Sequence, residues 1–156
     1  LELARNLFLF EPEDFSQQAA MIKNMDSLLR EGPGLFVVDS LTGLYRSQLE
    51  RGRDAMQRLT GQVLVLLGYA RRYGIPVLLS NQVYMDPEKG TFVGLGGTAL
   101  EHLSKVIVRL ERRNRVRRAT LVKHRSKPPG EFFDFEITLE GLHPCPRSQG
   151  QDKETI

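Results

Sequence analysis

One cysteine, Cys145, stands among 156 residues, which excludes an internal disulfide and any cage of cysteine ligands around a metal. The longest apolar run, VLVLLGYA at 63–70, is far short of the roughly 18 residues a membrane-spanning helix needs. No basic and apolar leader opens the chain, which starts at Leu1 rather than at a methionine, and a soluble cytoplasmic protein is the expectation. The three histidines, His102, His124 and His143, have no metal-binding spacing, and no catalytic-triad motif occurs. Hydrophobic residues at 40% and charged residues at 26% are ordinary globular values that argue against a disordered or fibrous chain. The length suits one domain, expected over 1–142, with a disordered tail over 143–156.

What is present is unevenly charged. The net charge is +3, yet Lys105 to Lys127 holds ten basic residues and one acid, Glu111, so this stretch is +9 and the remainder −6. Clustered Lys and Arg attract polyanions and release their counterions, which points to a phosphate-rich partner. A solvated hairpin with charged outer faces reads equally well from charge alone.

Apolar periodicity changes repeatedly along the chain. LFLF at 7–10 reads as a buried strand; Ser16 can cap the following helix, with Ile22, Met25, Leu28 and Leu29 at helical spacing and Gly32 beyond its end. LFVV at 35–38 is a second apolar run. A long helix is expected from Arg53 to Tyr73, with Met56, Leu59, Val63, Leu66, Leu67 and Ala70 on one face and Gly74 as the stop. VLLS at 77–80 is the third run. Three such runs separated by helices predict a parallel sheet flanked by helices. Residues 84–97 read as a glycine-rich loop and 98–104 as a short helix. A hairpin follows from 106 to 124, and Phe133, Phe135 and Ile137 alternate as a half-buried strand.

Two strand ends carry the candidate chemistry. Asp39 follows four apolar residues at the carboxyl end of a strand, the edge where open α/β sheets hold ligands. A carboxylate there can hold hydrated Mg²⁺ through its water shell, or it can simply cap the strand. Asn81 and Gln82 follow the next run. Gln82 could touch a terminal phosphate and report it to the loop beginning at Tyr84, or both could be turn residues.

Three ordered stretches, FVVDSLTGLYR at 36–46, YGIPVLLSNQV at 73–83 and GLGGTALEHLSKVIVRLE at 94–111, resemble the RecA/RadA recombinase family. The likeness is greatest to an archaeal branch without an amino-terminal helical DNA-binding domain. The resemblance implies a RecA-like P-loop ATPase core, α/β with carboxy-terminal antiparallel strands, that uses ATP and Mg²⁺ in homologous recombination and DNA repair. Asp39 is similar to the Mg²⁺-water carboxylate, with Ser40 beside it at the nucleotide, and Gln82 to the γ-phosphate sensor at the root of the second DNA-binding loop. Gly96, Gly97 and His102 match the end of that loop and the helix after it. Arg46 matches the first DNA-binding loop by residue; Arg51 and Arg53 match it by position, and Lys89 falls in the second. The implied partners are single-stranded DNA, further copies of the chain joined through ATP interfaces, and a recombinase or a DNA-junction nuclease, on the nucleoid and away from membranes.

Lys123-His124-Arg125 departs from the Asp-x-Pro element of RadA proteins. It is similar to the Lys-x-Arg pair that KaiC-like and hexameric-helicase relatives insert into a neighbour's ATP site. Two cations two residues apart on a strand share a face, so Lys123 and Arg125 can serve a nucleotide in trans or form a solvated basic strand. The phosphate-cradling G-x-x-x-x-G-K-[ST] is absent, as is the upstream glutamate the resemblance implies. A carboxy-terminal piece and a protein that has lost the loop are the competing accounts, and the chain as written is expected not to hydrolyse ATP. Besides the ATPase, the sequence allows a nucleotide-gated recombination mediator with little turnover, or a KaiC-like regulatory ATPase without DNA.

Overall fold

The computed structural model describes residues 3–88, 90–114 and 116–145. These group into two compact units that meet in sequence between Leu103 and Ser104.

The first unit is organised by a 22-residue helix. Its opening helix, α1 (Phe15–Lys23), is capped by Asp14, whose Oδ1 accepts from the backbone N–H of Ser16 at 2.7 Å and of Gln17 at 2.8 Å. Ser16 is therefore not the cap: it lies inside the first turn, where its hydroxyl accepts from the Arg58 guanidinium at 2.8 Å. The single helix expected here breaks at Asn24 and resumes as α2 (Asp26–Leu29). The break sends Ile22 to one cluster, with Phe15, Leu41, Tyr45, Leu59, Val63, Leu66 and Leu100, and Met25 and Leu29 to another, with Tyr69 and Ile75.

β1 (Phe36–Val38) and β2 (Val77–Leu79) pair in parallel, with α3 (Gly52–Tyr73) as the crossover between them. α3 buries Ala55, Leu59, Gln62, Val63, Leu66 and Tyr69, the stripe a 3.6-residue period demands. Gly74 ends it at φ +65°, a left-handed conformation that glycine adopts without steric cost. Phe36, Val38, Val77 and Leu79 pack towards α3, while Val37 and Leu78 face outward.

Two expectations fail in this unit. Residues 7–10 form no strand: they have 47–75% of their surface exposed, because no described strand lies alongside to take up their backbone groups. The expected loop at 84–97 is largely a hairpin, β3 (Val83–Asp86) and β4 (Thr91–Gly94), pairing Tyr84 with Val93 and Met85 with Phe92. Glycines that read as loop instead serve its turn, at Gly90 (φ +62°), and its exit, at Gly94. α4 (Gly97–Leu103) follows.

The second unit is a four-stranded antiparallel meander of β5 (Ile107–Arg113), β6 (Val116–Lys123), β7 (Phe132–Thr138) and β8 (Gly141–Pro144). The expected tail boundary at 143 moves, since β8 carries His143 and Pro144 into the sheet, paired with Glu136 and Phe135. Register places Val108, Leu110, Ala119, Leu121, Phe133, Phe135, Ile137 and Leu142 on one face. The other face joins charges: Arg118 Nε and Nη2 donate to Asp134 at 2.8 and 3.0 Å, and its guanidinium lies 3.7 Å from the Phe132 ring centre. Glu111 sits between Arg109 and Arg113 at 3.5 and 3.7 Å, so part of the basic stretch is neutralised within its own sheet.

The Arg118 hydrogen bonds hold the Asp134 carboxyl below its usual value of 3.8. A depressed carboxylate contributes stability above the unfolded value that is lost as pH falls through the folded one. Asp134→Asn is expected to cost about 1–2 kcal/mol near neutral pH, with the gap to wild type closing below about pH 4. Denaturant unfolding at several pH values measures both.

Candidate functional site

Parallel pairing in register brings two polar strand ends to one edge. Phe36, Val37 and Val38 lie opposite Val77, Leu78 and Leu79, so Asp39 and Ser80 emerge side by side. The ladder continues past the strands: Ser80 N–H donates to Val38 O, and Leu41 N–H donates to Ser80 O, each at 3.1 Å. The Ser80 hydroxyl donates to Asp39 Oδ1, and the Asp39 carboxylate is otherwise exposed. The Asp39–Ser40 peptide is cis. Ser40 is half-buried, and its carbonyl accepts from Gly43 N–H at 3.4 Å.

Beyond Ser40 the chain turns into the core. Leu41 and Thr42 are both 0% exposed. Gln18 Nε2 donates to Leu41 O at 3.1 Å and to Gln62 Oε1 at 2.8 Å. Thr42 Oγ1 donates to Asn81 Oδ1 at 2.8 Å and accepts from Gln82 N–H at 3.2 Å. Asn81 Nδ2 donates to Leu95 O at 2.9 Å, and Leu95 N–H donates to Gln82 O at 2.7 Å. Gln82 is thus held by its backbone at the root of the β3–β4 hairpin while its side chain is exposed.

The candidate basic residues occupy the segment entering α3. Arg46 lies in a 3-10 helix, Tyr45–Arg51, and its N–H donates to Thr42 O at 3.2 Å in the turn that leads into it. Arg51 ends that helix and Arg53 begins α3; all three side chains are exposed. Cations at a helix amino terminus oppose its dipole, so Arg51 and Arg53 gain nothing for the helix there. Lys89 lies outside the described residues. Gly96 is buried beneath α4 and Gly97 is the helix's first residue; exposed His102 is in its last turn.

Lys123 and Arg125 belong to the second unit, and the expectation that they share a strand face fails. β6 ends at Lys123, which pairs with Ile107. Arg125 follows in a bend closed by the His124 ring, whose Nδ1 accepts from Ser126 and Lys127 N–H, each at 3.1 Å. That imidazole takes up two turn donors which a continuing strand would have given to a neighbour.

Thr42, Ser80, Gln18 and Gln62 join the site through the fold, beyond the residues expected from the sequence. Gln62 carried a signal, being a polar residue in line with Leu59 and Leu66 on an otherwise apolar helix stripe. Thr42 carried none, because only folding brings it to Asn81. Among the described residues no group of three His, Cys, Asp or Glu is placed to hold a metal. A lone exposed carboxylate fits a cation held through water and a nucleotide's own phosphates. No described helix is long and apolar enough to cross a membrane.

A family model described as Rad51 matches residues 7–144. The chain is 54% identical over 143 residues to the DNA repair and recombination protein RadB of Methanoculleus marisnigri, spanning 90% of this chain and 64% of that protein. It is 43% identical over 146 residues to the protein of the same name from Archaeoglobus fulgidus, spanning 91% of this chain and 66% of that one. A solved structure titled as the crystal structure of the RadB recombinase superposes with a TM-score of 0.72 at 33% identity, spanning 88% of this chain and 63% of that one. The chain thus spans less than two thirds of the length of these relatives. The fold is the RecA-like α/β fold. The chain belongs to the Rad51 family.

Gly96 has φ +92°, and a Cβ there would lie 2.9 Å from Leu100 Cδ1 and 3.0 Å from Leu59 Cδ2. Gly96→Ala should therefore destabilise the fold by about 1–3 kcal/mol, combining backbone strain with overpacking. Urea unfolding against wild type tests this, and equal midpoints would show that the α4 entry can rearrange.

Proposed function

We propose that the complete protein is an ATP- and Mg²⁺-dependent DNA-binding protein of homologous recombination and DNA repair. The observation supporting this reading is the shared edge: Asp39, an exposed carboxylate, is bonded to Ser80, two residues before Gln82 at the hairpin root. ATP with Mg²⁺ would supply the terminal phosphate whose presence or loss the protein reads. Asp39 would hold the cation's water shell, with Ser80 orienting its carboxylate and Ser40 beside it. Gln82 would meet the terminal phosphate with its amide.

The β3–β4 hairpin and the Arg46–Arg53 segment would face single-stranded DNA. Tyr84, Met85 and Phe92 are exposed on the hairpin and suited to bases, whereas the arginines are suited to phosphates. Gly96 and Gly97 would set the backbone path from the hairpin into α4, and Lys89 would be a further phosphate contact. Copies of the chain would associate through their nucleotide sites, with Lys123 and Arg125 serving the neighbour's phosphates. A recombinase or DNA-junction nuclease would be a further partner, and the cytoplasm, at the nucleoid, the place of action. Residues 1–142 would form the carboxy-terminal portion of the ATPase domain.

In the full-length protein, Asp39→Ala is expected to lower Mg²⁺-dependent ATP turnover by about 100-fold or more, as removal of a transition-state charge organiser does, while thermal melting stays near wild type. Wild-type turnover in that variant would make Asp39 a strand cap. Arg46→Ala, Arg51→Ala and Arg53→Ala should each weaken single-stranded DNA binding across sequences and reduce the log-affinity against log-salt slope by about one unit or less. A wild-type affinity independent of salt would contradict phosphate binding.

A further inference from the structure

We infer that Thr42 is a positioning residue that transmits the state of the nucleotide site, through Gln82, to the β3–β4 hairpin and the Arg46 helix. The inference rests on the proposed function and adds a residue and a route to it. Thr42 is fully buried, so its hydroxyl cannot itself touch a nucleotide or DNA. It spends its proton on Asn81 Oδ1 and a lone pair on Gln82 N–H.

Those two bonds belong to a closed ring. Asn81 reaches on to Leu95 O, and Leu95 N–H returns to Gln82 O. Gln82 and Leu95 are the residues immediately before β3 and after β4, so the ring clamps both roots of the hairpin to one hydroxyl. There is little slack, since a Cβ on Gly94 would lie 3.0 Å from Asn81 Nδ2.

Thr42 is also an anchored point. The residue before it is held through its N–H by Ser80 O and through its carbonyl by Gln18. Its own carbonyl receives Arg46 N–H, a turn bond that leads into the 3-10 helix. A displacement of Gln82 therefore cannot be absorbed in a loose loop. It must either break the ring or tilt the hairpin about its clamped roots, against the same hub that seats the arginine segment. Ser80, the Asp39 partner, lies in the same run of backbone bonds, so both ends of the nucleotide site bear on this hub.

The test uses the full-length protein and measures single-stranded DNA affinity with and without Mg²⁺ and a non-hydrolysable ATP analogue. Binding of the analogue is measured separately. Wild type is expected to bind DNA about ten-fold more tightly with the analogue, within the usual range of coupling between sites. Thr42→Val, matched in shape but without the hydroxyl, should bring that ratio to within about two-fold of unity, while analogue affinity stays within about two-fold of wild type. Thr42→Ser should restore the wild-type ratio, which a merely space-filling role would not require. Asn81→Ala opens the same ring from its other side and should lose the ratio likewise, providing a second reading should Thr42→Val fold poorly.

A wild-type ratio in Thr42→Val or Asn81→Ala, failure of Thr42→Ser to rescue, or a ten-fold loss of analogue affinity in Thr42→Val would overturn the role. A ratio of one in wild type would overturn the proposed function and this inference together, before any variant is compared.

Discussion

The in-register parallel pairing of β1 with β2 is the constraint on which the first unit depends. A parallel pair needs a long crossover, and α3 supplies it while burying its apolar stripe against the inward faces of both strands. Because Val38 lies opposite Leu79, the residues that follow leave the sheet together, and Asp39 and Ser80 become neighbours. A one-residue slip would turn Phe36 and Val38 away from α3 and separate Asp39 from Ser80. Packing of the core and assembly of the site are thus the same event in this unit.

Polar groups in this core specify more than they stabilise. Gln18 and Gln62 are buried and joined, with Gln62 Nε2 lacking a partner among the described residues, a cost that an apolar pair would avoid. Their return is geometric, because Gln18 also fixes the Leu41 carbonyl. Thr42 acts similarly, spanning strand end, hairpin root and 3-10 helix from one position. Elsewhere Asp26 gathers Tyr73, Arg30 and Arg72, tying α2 to the end of α3, and these bonds hold its carboxyl below the usual value. Polar contacts of this kind fix where elements sit while apolar contacts hold them together.

The second unit distributes its charge unevenly. The basic stretch that suggested a polyanion partner is partly occupied by Glu111 and Asp134 on one sheet face. Arg112 and Arg117 stand opposite one another with no acidic partner among the described residues. Like charges directly opposed across a ladder are unfavourable, so this pair costs the hairpin some stability. The other face carries its apolar residues outward, with Val108, Leu110, Phe133, Ile137 and Leu142 each more than half exposed.

The sequence alone determined the long helix with its Gly74 stop, the two paired strands, the β5–β6 hairpin and the placing of Asp39 and Gln82 at strand ends. Each rests on local periodicity or on a backbone position that glycine serves, and such signals are written within a few residues. The RecA-like family was legible for a related reason: three motifs stood in order along the chain. Tertiary structure decided the rest. LFLF has the composition of a strand, but without a neighbouring ladder it stays exposed. Residues 84–97 have the composition of a loop, but each half gives the other its hydrogen bonds. Lys123 and Arg125 have strand spacing, yet the His124 ring ends the strand between them. Thr42 meets Asn81 across 39 positions, a contact without local signature, because hydrogen bonds between distant residues exist only once the fold has brought them within reach.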